Sequence, residues 1–222
     1  MFRRVGRIAG SAGAATMALL AFAGGAEAAT TAEMTTLVQT AASAETCTAP
    51  LVQRPFARFG DLRDYVLAPD GSFEASGLPG WQPAGGAQRV ADFDPVDLGT
   101  NDGTGMLALP RGASIVSPVM CVDLNYPTGR FLAKAVGNPY TSQLRVEVIY
   151  PDAPIRPVWE QRAAFNGVLG LNAGSGWRLT PDVNLRPMDG GRATGMRPIA
   201  YRFTAVSGDW RIDDVYIDPR CR

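Results

Sequence analysis

At 222 residues, with 46% hydrophobic and 19% charged positions, the chain has room for one domain with a substantial core. Its 21 basic residues balance 21 acidic ones, so no net charge draws it to nucleic acid or to an anionic membrane surface. It contains no histidine, which excludes Ser-His-Asp and Cys-His catalysis, His-ligated zinc and an imidazole pH switch.

The N-terminus reads as a secretory signal. Arg3, Arg4 and Arg7 form a positive n-region, residues 14–23 an apolar run too short to span a bilayer, and Ala26-Glu27-Ala28 a cleavage site. Cleavage after Ala28 predicts a secreted product with no membrane span and a charge balance still close to neutral. Residues 29–46 are Ala/Thr-rich and low in complexity, and read as a flexible tether. The folded domain is expected over 47–222, with 1–28 as the signal peptide.

The 25 glycines and 17 prolines favour short strands joined by turns over a helical bundle. Alternating runs predict strands at 65–67, 71–74, 81–82, 87–91, 105–109 and 115–122. More follow at 130–135, 144–150, 158–163, 177–179, 199–206 and 211–217. Turn clusters such as Pro69-Asp70-Gly71, Asn101-Asp102-Gly103 and Pro127-Thr128-Gly129 separate them. Along 144–150 the residues Leu144, Val146, Val148 and Tyr150 share one face, and Arg145, Glu147 and Ile149 the other. Tyr201, Phe203 and Ala205 point inward while Arg202 and Thr204 point away; Phe131 and Ala133 oppose Leu132 and Lys134. Burying such a face stabilises by roughly 1.5–3 kcal/mol per large side chain. The expected fold is an all-β antiparallel sandwich of one domain.

An exported chain with three cysteines forms one disulfide and leaves one thiol over. Cys47–Cys121 is the favoured pair, tying the N-terminal arm to the strand around Cys121; Cys47–Cys221 is its rival, and spacing does not decide between them.

Gly71-Ser72-Phe73-Glu74, Gly80-Trp81, Ser114-Ile115-Val116-Ser117-Pro118, Leu144-Arg145-Val146-Glu147-Val148, Gly176-Trp177 and Trp210-Arg211-Ile212-Asp213-Asp214-Val215-Tyr216-Ile217 follow one another in a telling order. The order resembles galactose-binding-like jelly-roll domains, in particular carbohydrate-binding modules. Those open on an "N-G-x-F-E…GW" strand and close on a "W-x-I-D-D-V" strand. A closer likeness is to small secreted actinobacterial proteins with an early Cys, a mid-chain Cys-Val and an "IDDVYxDP" end. The resemblance covers about 47–219 and implies a jelly-roll sandwich whose first and last strands lie together. It also implies a structural Ca2+ there, with Glu74 and Asp214 as carboxylate ligands and backbone carbonyls beside them. Gly-Ser stands here where the family has Asn-Gly, which leaves the backbone ligands open.

The same resemblance implies binding of an extracellular polysaccharide or cell-wall glycan. Trp81, Trp177 and Trp210 sit at positions that pack in the core. Trp159, in a run flanked by polar residues, reads instead as a binding-face ring for sugar C–H groups. With Lys134, Arg145, Glu147, Arg202 and Thr204 it makes the expected polar sheet face. Catalysis is not expected: Asp213 and Asp214, adjacent on a strand, point to opposite faces and cannot flank one scissile bond. Asp61 and Asp64 lie in turns with no identifiable partner, no G-x-S-x-G is present, and the Gly-rich stretch 170–176 precedes a strand rather than a helix. The alternative to a glycan binder is a structural or protein-interaction domain at the cell surface.

Overall fold

A strand with one apolar and one polar face cannot bury itself alone, so such strands pair until their apolar faces meet. The computed structural model describes residues 52–93, 95–96, 98, 103–123, 128–138, 141–150, 153–162, 176–184 and 196–218. The stretches expected as signal peptide (1–28) and tether (29–46), and Cys47, lie outside them. An arm leads in, with Gln53 bridged to Tyr65 and a single 3-10 turn at Ala57–Phe59 between them. Strand β1 (Val66–Leu67) follows, then β2 (Gln82–Ala84), β3 (Gln88–Ala91), β4 (Gly105–Leu109), β5 (Ser114–Val116) and β6 (Met120–Asp123). Next come β7 (Thr128–Val136), β8 (Gln143–Tyr150), β9 (Ala153–Arg162), the short β10 (Arg178–Leu179) and β11 (Val183–Asn184), then β12 (Met196–Ser207) and β13 (Asp209–Asp218). Among the described residues no helix is long and apolar enough to cross a membrane.

These strands make the expected all-β sandwich of two antiparallel sheets. A seven-stranded sheet runs β10-β7-β13-β4-β3, with β1 also on β13 and β11 also on β7. A six-stranded sheet runs β2-β5-β12-β8-β9, with β6 also on β12. The run expected at 115–122 splits in two around Pro118, which has no N–H to give to a ladder. Both halves still pair with β12, β5 through 202–204 and β6 through 196–199.

Residues 71–74, expected as the first strand, form a turn instead, and Phe73 adopts φ 52°. The expected adjacency to the last strand nevertheless holds. Val215 N–H donates to the Gly71 carbonyl at 2.9 Å, and Ala68 N–H donates to the Val215 carbonyl at 2.8 Å.

A bulge in β13 receives this turn. Three steps from Asp213 to Tyr216 match two steps from Leu132 to Arg130, and the extra residue, Asp214, sits at φ 50°. The bulge resets the phase of the strand, so that Ile212, Val215 and Ile217 all reach the sandwich core while Tyr216 lies on the opposite face.

The inter-sheet core centres on Phe203. Its ring meets Phe131 edge-on at 5.1 Å and Trp81 at 6.2 Å, so aromatic contacts cross from one sheet to the other. A second apolar cluster of Phe56, Tyr65, Met106, Leu132, Trp177 and Tyr216 covers the far side of the seven-stranded sheet. That is why β4 reads Gly-Met-Leu-Ala-Leu without polar alternation: every one of its residues is buried.

Candidate functional site

Arg145 and Glu147 on β8 and Arg202 and Thr204 on β12 come together as expected. Arg202 pairs with Glu147 and Thr204 with Arg145, so all four share the outward face of the six-stranded sheet. Glu147 is only 6% exposed, and its Oε2 accepts a hydrogen bond from Arg202 Nε at 2.5 Å. The pair is a fixed ionic rung, with Arg145 and Thr204 half-buried beside it. Val116, Ile149 and Ala200 form a small apolar cluster on the same face. In the backbone register β9 sets Glu160 opposite Arg145, in line with the polar row, but Trp159 opposite core-facing Val146, so the register does not bring the Trp159 position onto the expected polar face; a bulge separates Val146 from Glu147.

Lys134 does not join this face. It lies on β7 in the other sheet, opposite Arg211, with its Nζ 5.9 Å from the centre of the Trp177 ring. Period-two alternation separates the two faces of a strand but carries no information about which sheet the strand enters.

Sequence reasoning also missed an ionic network under the N-terminal arm. Asp61 Oδ2 accepts from Arg63 Nη2 at 2.6 Å, from Tyr65 Oη at 2.7 Å and from Arg130 Nη1 at 3.0 Å. Arg63 also grips Asp182 through both terminal nitrogens, at 2.7 and 2.6 Å. Arg130, 5% exposed, donates from Nε and Nη2 to the Thr180 carbonyl at 2.9 and 2.8 Å. Burial opposes the charge on Asp61, but hydrogen bonds from Arg63 and Tyr65 outweigh it and hold the carboxyl well below the usual carboxylate range. Burial and the bond to Asp61 push the Tyr65 phenol up. The network ties the arm, β7 and the segment after β10 into one unit.

At the seam between residues 71–74 and β13, Glu74 does not face a vacant site. Arg89 Nε donates to the Phe73 carbonyl at 2.5 Å and Nη2 to the Glu74 carbonyl at 3.3 Å, with Nη2 3.6 Å from Glu74 Oε2. The other carboxylate oxygen of Glu74 accepts from Gly105 N–H at 3.0 Å. A Cβ on Gly105 would collide with the Phe73 carbonyl and with the Arg89 guanidinium, so the seam closes only over glycine. Asp214 lies on the adjoining bulge, its N–H bonded to Asp213 Oδ1 at 2.8 Å. Calcium takes about six to eight oxygens. Here the Glu74 carboxylate and two flanking carbonyls are already turned on a guanidinium, so these residues do not fit an ion while Arg89 is in place. Among the described residues no three His, Cys, Asp or Glu side chains gather to hold a metal. Cys121 lies on β6 opposite Pro198, whereas Cys47 and Cys221 lie outside the described residues.

Neither a family model nor a curated protein sequence matches the chain. Among solved structures it is similar to the carbohydrate-binding module TmCBM61 in complex with β-1,4-galactotriose, at 18% identity and a TM-score of 0.39, over 68% of this chain and 96% of that one. It is similar to the K3 cleaved adhesin domain of Lys-gingipain from Porphyromonas gingivalis at 16% identity and a TM-score of 0.43, over 69% and 99% of the two chains. A CBM4 module is similar at 19% identity and a TM-score of 0.34, over 69% and 99%.

Proposed function

We propose that the chain is a secreted, non-catalytic glycan-binding module that uses the outward face of its six-stranded sheet. The asymmetry of the two sheets carries this reading. The seven-stranded sheet is covered on its far side by a second core, while the six-stranded sheet turns a polar row of Arg145, Thr204, Arg202 and Glu147 outward. Guanidinium and carboxylate groups fixed by one another present donors and acceptors in set positions, as hydroxyl-rich ligands require. In the backbone register the adjoining edge strand β9 extends this row at Glu160, which pairs with Arg145. Binding rather than catalysis is favoured because Asp61 and Glu147 are both engaged by arginine and the chain has no histidine.

A glycan array probed with the full chain tests the reading. Retention of a polysaccharide is expected, and retention of none would favour the structural or protein-interaction domain. Arg145→Ala is expected to weaken binding about tenfold, near 1.4 kcal/mol. Equal affinity in that variant would remove Arg145 from the site. Export, cleavage after Ala28 and the Cys47–Cys121 bond belong to the same proposal. Mass spectrometry of culture supernatant is expected to find a new N-terminus at Ala29 and a peptide joining the two cysteines.

A further inference from the structure

We propose that the Arg89 guanidinium is the resident cation of the seam between residues 71–74 and β13, and that removing it turns the seam into a calcium site. The groups around Arg89 are hard oxygens: the Phe73 and Glu74 carbonyls and the Glu74 carboxylate. They are held in place without it, since Gly105 N–H fixes Glu74 Oε1 and the turn is bonded to β13 through Gly71 and Val215. Asp70 adds a further oxygen to this turn. Its Oδ1 accepts from Ala75 N–H at 3.1 Å, while its buried Oδ2 has no hydrogen-bond partner among the described residues. Burial raises the Asp70 carboxyl above its ordinary range, opposed by the Ala75 bond and by the charge of Arg89. Carbonyls converging with carboxylates are what a divalent cation takes as ligands. A tethered guanidinium meets the same demand, and because it is part of the chain it cannot be lost to a chelator.

Thermal melts of the full chain in EDTA and in about 10 mM CaCl2, above the roughly millimolar affinity of extracellular calcium modules, test the proposal. Wild type is expected to melt at one temperature in both. Arg89→Ala is expected to melt roughly 5 °C lower in EDTA and to recover most of that loss in CaCl2. Adding Glu74→Gln to Arg89→Ala is expected to abolish the recovery. A wild-type midpoint that falls in EDTA would overturn the proposal, as would an Arg89→Ala variant that melts like wild type or gains nothing from CaCl2. Should Arg89→Ala not fold, Arg89→Lys carries the test. It keeps the charge and is expected to fold with a midpoint below wild type, and its failure to fold would count against the cation role.

Discussion

Asp61→Asn is expected to lower stability by about 3 kcal/mol, as breaking a buried ion pair from one side does. The substitution keeps the shape and removes the charge, leaving Arg130, 5% exposed, with only the more distant Asp182 carboxylate at 3.7 Å and placing an amide against two guanidinium groups. Arg130 keeps its bonds to the Thr180 carbonyl and Arg63 keeps Asp182, so the loss stays at the lower end of the range. For a domain of this size the midpoint falls by roughly 6–12 °C. The sign of the pH dependence follows from the depressed carboxyl of Asp61. Its contribution is complete above the unfolded carboxylate pKa of about 3.9 and is lost as pH falls through that value towards the lower folded one. The gap between wild type and Asp61→Asn is therefore expected to be constant from about pH 7 to 5 and to narrow below about pH 4. Melts across that range check it; a gap that stays constant on acidification would mean that the charge of Asp61 is not what stabilises the arm.

Phe203→Ala is expected to cost about 3–5 kcal/mol. Phe203 is fully buried between the sheets, and its ring touches Phe131 from one sheet and Tyr201 and Trp81 around it. Removing the ring leaves a cavity that neighbours on two hydrogen-bonded sheets cannot collapse to fill. Val206, three residues along β12 and exposed beside a bulge, is the control: Val206→Ala is expected to change stability by less than about 0.5 kcal/mol. Urea unfolding measures both, with an unchanged slope confirming that the native state and not the unfolded chain is affected.

The strands were legible where alternation and turn residues agreed. The run at 105–109 is β4 itself, and that at 144–150 is β8 short of Gln143. The turn at 71–74 was misread because Phe73 between polar neighbours mimics alternation, whereas φ 52° at Phe73 is set by how the turn docks on β13. The bulge at Asp214 did leave a mark: Ile212 and Val215, both core residues, stand three apart across two aspartates, which breaks the period of two just where β13 has one residue more than Leu132 to Arg130. Arg145, Glu147 and Arg202 were legible as one face because cross-strand partners obey the same period. Lys134 was not, because sheet membership is decided by long-range pairing. The ionic network left no local signal at all, since Asp61 meets Arg130 across 69 residues and Arg63 meets Asp182 across 119.

Amide chemical-shift mapping on the folded chain, titrated with the polysaccharide it retains on an array, tests the binding face most directly. The largest shifts are expected on β8 and β12, at Arg145, Glu147, Arg202 and Thr204, while Lys134 and Arg211 on the other sheet stay unmoved. Shifts clustered on β7 and β13, or no titration with any glycan, would contradict it.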